Sequence, residues 1–278
     1  MTTALVKPES VVSNNSIQWK MMRDQLNYIN RMAMDDLISV VRTASQMDPI
    51  TGREYLTDAF EALVSTYGGV SADMTVEWWD EIMADELYLA EAAPLPTHRQ
   101  LVKEVRWGTA PDVQGEDDVL RRMAALMQKH IFGAHRNTVD INALNHKVGY
   151  ARYAQADACA FCRLLASRGA VYGSPAAALY VGTATVRSHY SDGRRRGYRL
   201  KKGRVRGVQR AGERYHDHCR CVVAPDRPGL DPNLPDYVSR FEEEYDRAIA
   251  QLDKDNPGEV SFNLSQVTRM MRLQGSGK

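Results

Sequence analysis

The chain has 278 residues, of which 44% are hydrophobic and 26% charged, so it can bury one sizeable core or two modest ones and is too apolar for a disordered protein. It has no run of about eighteen apolar residues, so we expect no membrane-spanning helix. It has no N-terminal signal-peptide core, so we do not expect a secreted protein. Residues 1–150 carry 14 Lys and Arg against 21 Asp and Glu, whereas residues 151–278 carry 22 against 14. This charge asymmetry is expected if only the basic part of the protein contacts a polyanion. It is also compatible with ordinary variation of charge between domains.

The first half of the chain predicts a succession of helices. Apolar residues recur at helical spacing from Ser16 to Ser45, and Asp48-Pro49 predicts a break. Thr51 followed by Glu54 forms a capping-box pattern that predicts the start of the next helix. We expect that helix to stop at Gly68-Gly69, because glycine favours helix ends.

Two more helical faces precede residue 147. Their apolar members are Trp78, Trp79, Ile82, Met83 and Leu87 in one, and Val119, Met123, Met127 and Ile131 in the other. Stripes of Met and Trp at this spacing indicate core packing between helices. This half of the chain therefore predicts an antiparallel helical array without identifiable chemistry.

The pattern changes near Val148. The segment Val148–Tyr153 alternates as a strand does, and Val222-Val223 is a second short β-prone segment. Prolines between 225 and 235 predict an extended linker. A last helix is expected from Tyr237 to Leu252, followed by a frayed tail.

Together these elements predict a mainly α protein. An N-terminal helical array is expected to precede a small α+β module that contains cysteine and histidine, and a C-terminal helix follows. The predicted boundaries are residues 1–147 for the helical domain, 148–225 for the module and 226–278 for the linker, helix and tail.

All four cysteines fall in two clusters within the module. The first is the C-x-x-C pair Cys159 and Cys162, and the second is the H-x-x-C-x-C segment of His216, Cys219 and Cys221. Two residues between thiolates let a tight turn aim both sulfur atoms at one metal about 2.3 Å away. Four thiolates, or three with His216, would complete the closed tetrahedron of a structural zinc site.

Two other interpretations of the cysteines stay open. The thiols can be free or disulfide-linked and stabilise a small β-rich subdomain. Alternatively, one thiol can act as a nucleophile with a histidine, oriented by Asp157 or Asp217. The structural interpretation requires all four cysteines, whereas the nucleophile requires only one.

A basic, glycine-rich segment lies between the two clusters. Its Arg and Lys residues are Arg194, Arg195, Arg196, Arg199, Lys201, Lys202, Arg204 and Arg206. Such a composition is suited to phosphate contacts without base recognition, which predicts salt-sensitive and non-specific binding of nucleic acid. The alternative is a solvated loop or a hairpin edge protected by charge.

The cysteine segments also carry a family resemblance. Asp157-x-Cys159-x-x-Cys162, a spacer, and His216-x-x-Cys219-Arg220-Cys221 resemble the signature of the MuF-like minor head proteins of tailed bacteriophages, in the version found in phages of actinobacteria. The match covers roughly residues 145–225. The chain departs from the pattern at Asp217, where many members have proline, and in the spacing of Asp157.

The resemblance implies a minor capsid protein that takes part in head morphogenesis. Such a protein is made in the host cytoplasm, joins the virion at low copy number near the portal, and contacts the portal or the major capsid protein and the packaged DNA. No catalytic residue is predicted. The alternatives are an enzyme like a capsid maturation protease that uses the Cys/His site, and a nucleic-acid-binding zinc module.

Overall fold

The computed structural model of the chain describes residues 15–83, 87–113, 115–167, 219–226, 236–257, 262 and 264–275. The helices are α1 (Asn15–Ser45), α2 (Pro49–Leu63), α3 (Gly69–Met83), α4 (His98–Gly108), α5 (Gly115–His146), α6 (Ala160–Ala166), α7 (Asp236–Asp255) and α8 (Leu264–Gly275). Two strands, β1 (Gly149–Tyr153) and β2 (Val222–Asp226), pair antiparallel. This architecture confirms the predicted mainly α fold class.

The long helices α1 and α5 pack against each other and organise the largest hydrophobic core. Leu26, Ala33 and Leu37 of α1 are fully buried, and so are Met127 and Ile131 of α5. Residues three, four or seven apart share one face of a helix, so each helix presents a continuous apolar stripe to the other. The helical faces predicted from the sequence are thus the faces that form the core, except at Leu87. That residue lies beyond the end of α3 and is exposed, so its predicted place in the core is wrong.

Helix α2 begins earlier than the Thr51–Glu54 pattern predicts. Its N-cap is Asp48, whose Oδ1 accepts hydrogen bonds from the main-chain N–H groups of Ile50 and Thr51 at 3.1 Å. Pro49 occupies the first turn, where its fixed φ suits a helix and its missing N–H is not needed. The Asp-Pro step is therefore the start signal of α2, and the capping-box prediction is wrong.

The predicted helix stop at Gly68-Gly69 is also wrong. The chain passes from α2 through a π-helical turn (Val64–Gly68) directly into α3. Gly68 is buried, and a Cβ there would lie 3.2 Å from Cδ2 of Leu95. The glycine thus permits a close approach of the segment before α4, rather than ending a helix.

The two predicted β segments form one small sheet, in which Tyr153 is the partner of Val222. Tyr150, Val222 and Val223 are buried in the same core as α1 and α5. Pro225 lies in β2 opposite Tyr150 and not in a linker. The domain boundaries proposed from the sequence stay a prediction.

Helices α6, α7 and α8 enclose a smaller core. Its members include Leu164, Ala248, Leu252, Val267 and Met271. Helix α7 contains the predicted helix Tyr237–Leu252 and extends it to Asp236–Asp255. Helix α8 replaces most of the expected tail, because Val267 and Met271 bury a face that the sequence pattern had not singled out.

Candidate metal centre

The pairing of β1 with β2 brings the two cysteine clusters together. Because Tyr153 pairs with Val222, Cys221 lies next to the end of β1. The chain then needs only a short turn after β1 to reach Cys159, the N-cap of α6, and Cys162 within its first turn. Cys159 and Cys162 thus lie at the start of a helix, and Cys219 and Cys221 lie in the segment that leads into β2.

Three of the four sulfur atoms form a compact buried group. The Sγ atoms of Cys162, Cys219 and Cys221 all lie within 4.8 Å of one another, and those of Cys162 and Cys219 are 3.5 Å apart. Cys159 is exposed, and its thiol hydrogen-bonds with Cys162. All four cysteines line one cavity of about 340 Å³.

This geometry fits a tetrahedral thiolate site. A metal–sulfur distance of about 2.3 Å implies sulfur–sulfur separations of about 3.8 Å, within the range that the three buried sulfur atoms span. Three close buried cysteines are therefore able to hold a metal ion. Cys159 lines the same cavity, but its sulfur atom does not belong to the group within 4.8 Å. Soft thiolate donors select zinc or another thiophilic metal over magnesium or calcium.

Arg136 of α5 supplies positive charge to this site. Its side chain is buried, and Nη1 donates to the carbonyl oxygens of Cys219 and Cys221 at 3.3 Å each. Hydrogen bonds from Cys162 and Cys221, and then the Arg136 charge, lower the pKa of the Cys219 thiol. A buried cation that favours thiolate also favours binding of a metal, since the metal requires the deprotonated sulfur.

The remaining buried thiols hold their protons when no metal competes for them. Hydrogen bonds with Cys159, Cys219 and Cys221, together with burial, raise the pKa of Cys162. One thiolate shared among several thiols is the state expected of a close, desolvated cluster, because several like charges at this distance repel. Metal binding would release the protons that these thiols retain.

His135, adjacent to Arg136, is a structural group beside the site. The Thr75 hydroxyl donates to Ser71 O at 2.7 Å and so accepts from Nδ1 of His135 at 2.9 Å. Nε2 then accepts the N–H of Val223 at 3.3 Å. Burial and the charge of Arg136 lower the pKa of His135 to about 3, so the ring is neutral and joins α3 and α5 to β2.

Aromatic side chains close the other side of the cysteine group. Phe241 of α7 is buried in one cluster with Cys162, Cys219 and Cys221. The hydroxyl of Tyr237 donates to Ala154 O at 3.1 Å. Helix α7 thereby packs against the three buried cysteines.

Arg23 of α1 holds the same turn from the helical side. Its Nη2 donates to Tyr153 O at 2.8 Å and to Ala154 O at 3.3 Å. Its guanidinium lies over Trp19, which stacks on Tyr153 with ring centroids 5.1 Å apart. The turn that follows β1 is therefore fixed to the helical core at its start.

The structure brings together the four predicted cysteines, and Asp157 lines the same cavity. The predicted ligand His216 lies outside the described residues, as do Asp217 and the predicted nucleic-acid contacts Arg194, Arg195, Arg196, Arg199, Lys201, Lys202, Arg204 and Arg206. The roles of all these residues stay predictions. Arg136 and His135 were missed, and the only sequence signal for them was their place on the buried face of α5.

Two comparisons of the whole chain found nothing similar: no curated protein and no solved structure matches it. Among the described helices, none has both the length and the apolar composition that crossing a bilayer requires. The family model described as "VG15 protein" matches residues 14–248, a range that contains the α1–α5 helices, both cysteine clusters and most of α7. The chain therefore belongs to the VG15 protein family and is a phage protein.

Proposed function

We propose that the chain is a minor capsid protein of the phage head, which joins the particle near the portal at low copy number. The observation that carries this proposal is the family match over residues 14–248, because it spans the helical body and the cysteine site as one unit. The resemblance of the cysteine segments to MuF-like head proteins supports the same role. The mechanism is structural and requires no turnover.

We further propose that the cysteine site holds a structural zinc ion. Four cysteines line one cavity and would fill the tetrahedral shell, which leaves no coordination position for a substrate. Such an ion would join the start of α6 to the segment before β2. Through Arg136 it would also tie this junction to α5, the longest described helix of the protein. Zinc would thus brace the module against the helical body during assembly.

The capsid role is tested in the phage that encodes the chain. An epitope-tagged copy should be present in gradient-purified particles at a small fraction of the major capsid protein, and gold-labelled antibody should mark a single vertex. A matched particle preparation that carries Cys162→Ser should contain less of the protein, since the module would not be braced. Absence of the tagged protein from purified heads would refute the proposal.

Protease-like activity is the second candidate, and the exposed thiol of Cys159 beside Asp157 is the observation that favours it. The same phage distinguishes the two. If Cys159 is a nucleophile, a Cys159→Ser phage accumulates unprocessed major capsid protein, whereas a Cys219→Ser phage that still folds does not. If the site is structural, neither variant changes the mass of the major capsid protein in the particles that form.

A further inference from the structure

A second cavity, of about 460 Å³, adjoins the cysteine cavity, and Cys159 lines both. Its walls carry three arginines, Arg163 from α6, Arg247 from α7 and Arg272 from α8, and one carboxylate, Glu244. We propose that this cavity binds a phosphate group. The site is separate from the basic segment that the sequence indicated, because its lining residues lie in or next to α6, α7 and α8.

The three arginines project from a fixed frame. Helices α6, α7 and α8 pack around a common apolar core that includes Leu164, Ala248 and Met271, all nearly inaccessible to solvent. Arg163, Arg247 and Arg272 are each next to one of these core residues in sequence. The packing therefore fixes the distances between the three helices before any ligand arrives, which lowers the entropic cost of binding.

Arg163 is the most strongly positioned of the three arginines. Its Nη1 donates to Ala158 O at 2.7 Å, and its Nε lies 2.8 Å from Oε2 of Glu244. Its Nη2 is near Gly275, where an added Cβ would lie 3.4 Å away. With Nε and Nη1 held by the protein, the guanidinium plane is fixed while its other nitrogen stands beside a residue that has no side chain.

The charge balance of the cavity favours an anion. Three guanidinium groups face one carboxylate, so the lining has a formal charge of +2. Glu243 lies outside the lining, and Oε2 of Glu243 is 3.6 Å from Nη1 of Arg247, but both of these side chains are largely exposed. Such an exposed ion pair is weak and readily exchanged for a stronger partner. Arginine forks match phosphate oxygens in geometry as well as charge.

The cavity is large enough for a phosphate group, either free or carried on a larger molecule. Its volume lies within the range of about 300–1,000 Å³ of ordinary ligand sites and exceeds what one phosphate needs. The two possible sources are the backbone of duplex DNA and free phosphate. The assignment of DNA as the source depends on the proposed role in the phage head. The proposal that the cavity binds phosphate does not depend on that role.

The test uses the purified full-length protein after zinc loading. Inorganic phosphate and a short duplex of mixed sequence are titrated separately by calorimetry at one fixed salt concentration. The variant Arg247→Ala/Arg272→Ala removes two cavity charges. The matched control, Arg240→Ala/Arg269→Ala, removes two exposed arginines from the same two helices outside the cavity.

We expect the cavity variant to bind phosphate at least about tenfold more weakly, since it loses charge-assisted hydrogen bonds. The control should retain the affinity of the unaltered protein. Gln274→Glu adds a carboxylate to the cavity wall at an exposed position, removes no packing group, and should weaken binding in the same way. Circular dichroism checks that each variant has the helical content of the parent.

The two ligands identify the source of the phosphate. If the duplex and inorganic phosphate both bind, and the cavity variants bind both more weakly, the site takes a DNA backbone phosphate. If only inorganic phosphate binds and is weakened by the cavity variants, the site takes free phosphate. The proposal is overturned if the folded protein binds neither ligand, or if the cavity variants and the control weaken binding equally. Either negative result leaves the particle-localisation test of the capsid role unaffected.

Discussion

Nη1 of Arg136 lies 3.3 Å from the carbonyl oxygen of Cys219, a residue 83 positions away in the sequence. The same nitrogen lies 3.3 Å from the carbonyl oxygen of Cys221. One buried cation thus fixes the main chain on both sides of residue 220 and places positive charge beside the cysteine sulfurs. Arg136 therefore couples the helical body to the cysteine site, in addition to the contacts of Arg23 and His135.

Replacing Arg136 by Met should weaken metal binding. The variant keeps an unbranched buried side chain but removes the charge and both hydrogen bonds. We expect zinc affinity to fall by about 10–100-fold, the range typical for loss of a group that orients metal ligands. Competition with a chromophoric chelator measures the change.

The control for this variant is Arg121→Met, on the same helix α5. Arg121 is exposed and pairs with Asp118 on the surface. Its replacement should leave zinc affinity unchanged. Equal affinities for the Arg136 and Arg121 variants would show that the buried cation does not support the site.

The metal content itself is a direct prediction. Native mass spectrometry should find one zinc ion per chain, and a strong chelator should remove it together with part of the thermal stability, because structural zinc contributes folding free energy. Cys162→Ser should lose the ion, since this thiol is buried among the others. Four titratable thiols and no metal in the freshly purified protein would contradict the zinc assignment.

His135 predicts that stability falls in mild acid. The folded protein holds the pKa of His135 at about 3, below its ordinary value of 6.5, so the unfolded chain binds an extra proton between these pH values. The stabilisation that comes from the neutral His135 ring is present above pH 6.5. It is lost as the pH falls from 6.5 towards 3. Between pH 7 and pH 5 it should cost about 2 kcal/mol of unfolding free energy.

Urea unfolding at the two pH values measures the effect of His135. Zinc release also depends on pH, so the comparison is made with His135→Asn, which cannot titrate. The unaltered protein should lose about 2 kcal/mol more than the variant over this interval. Parallel losses in the two proteins would assign the acid sensitivity to other groups.

Replacing Gly52 and Gly133 by alanine should change the stability of the protein in opposite directions. A Cβ at Gly52 would lie 2.5 Å from the carbonyl oxygen of Ala44, a main-chain atom that cannot move aside without shifting α1. Gly52→Ala should therefore cost about 1–3 kcal/mol. A Cβ added at Gly133, within α5, would have no neighbouring atom within 4 Å. Gly133→Ala should therefore stabilise the protein by up to about 1 kcal/mol.

Chemical denaturation of the two alanine variants provides the measurement. Each serves as the control for the other, because both make the same chemical change inside a helix. A stabilised Gly52→Ala variant would mean that α1 and α2 do not approach as closely as described.

Helical periodicity predicted much of the fold because burial follows it closely. Met123, Met127 and Ile131 recur every four residues in the sequence, and all three are fully buried in α5. Short helices were harder to predict. Helix α4 begins at a Thr97–Gln100 capping box that was overlooked, and α6 is only seven residues long, too short to show a period.

The candidate site was predictable in its ligands but not in its surroundings. Cysteine spacing alone pointed to Cys159, Cys162, Cys219 and Cys221, because few roles require thiols at such intervals. The contact of Arg136 with this group depends on the β1–β2 register and on α5, that is, on tertiary structure. A single arginine among the residues of a long helix carries no local signal of that contact.

The pairing of β1 with β2 and the cluster of sulfur atoms have a consequence for how the gene can change. Cys162 and Cys219 are 57 positions apart in sequence, yet their sulfur atoms are 3.5 Å apart. These two sulfur atoms therefore join the described segment that contains α6 to the one that contains β2. Insertions or deletions in the gene between the codons of these two cysteines should therefore be tolerated as long as the two sulfur atoms still meet.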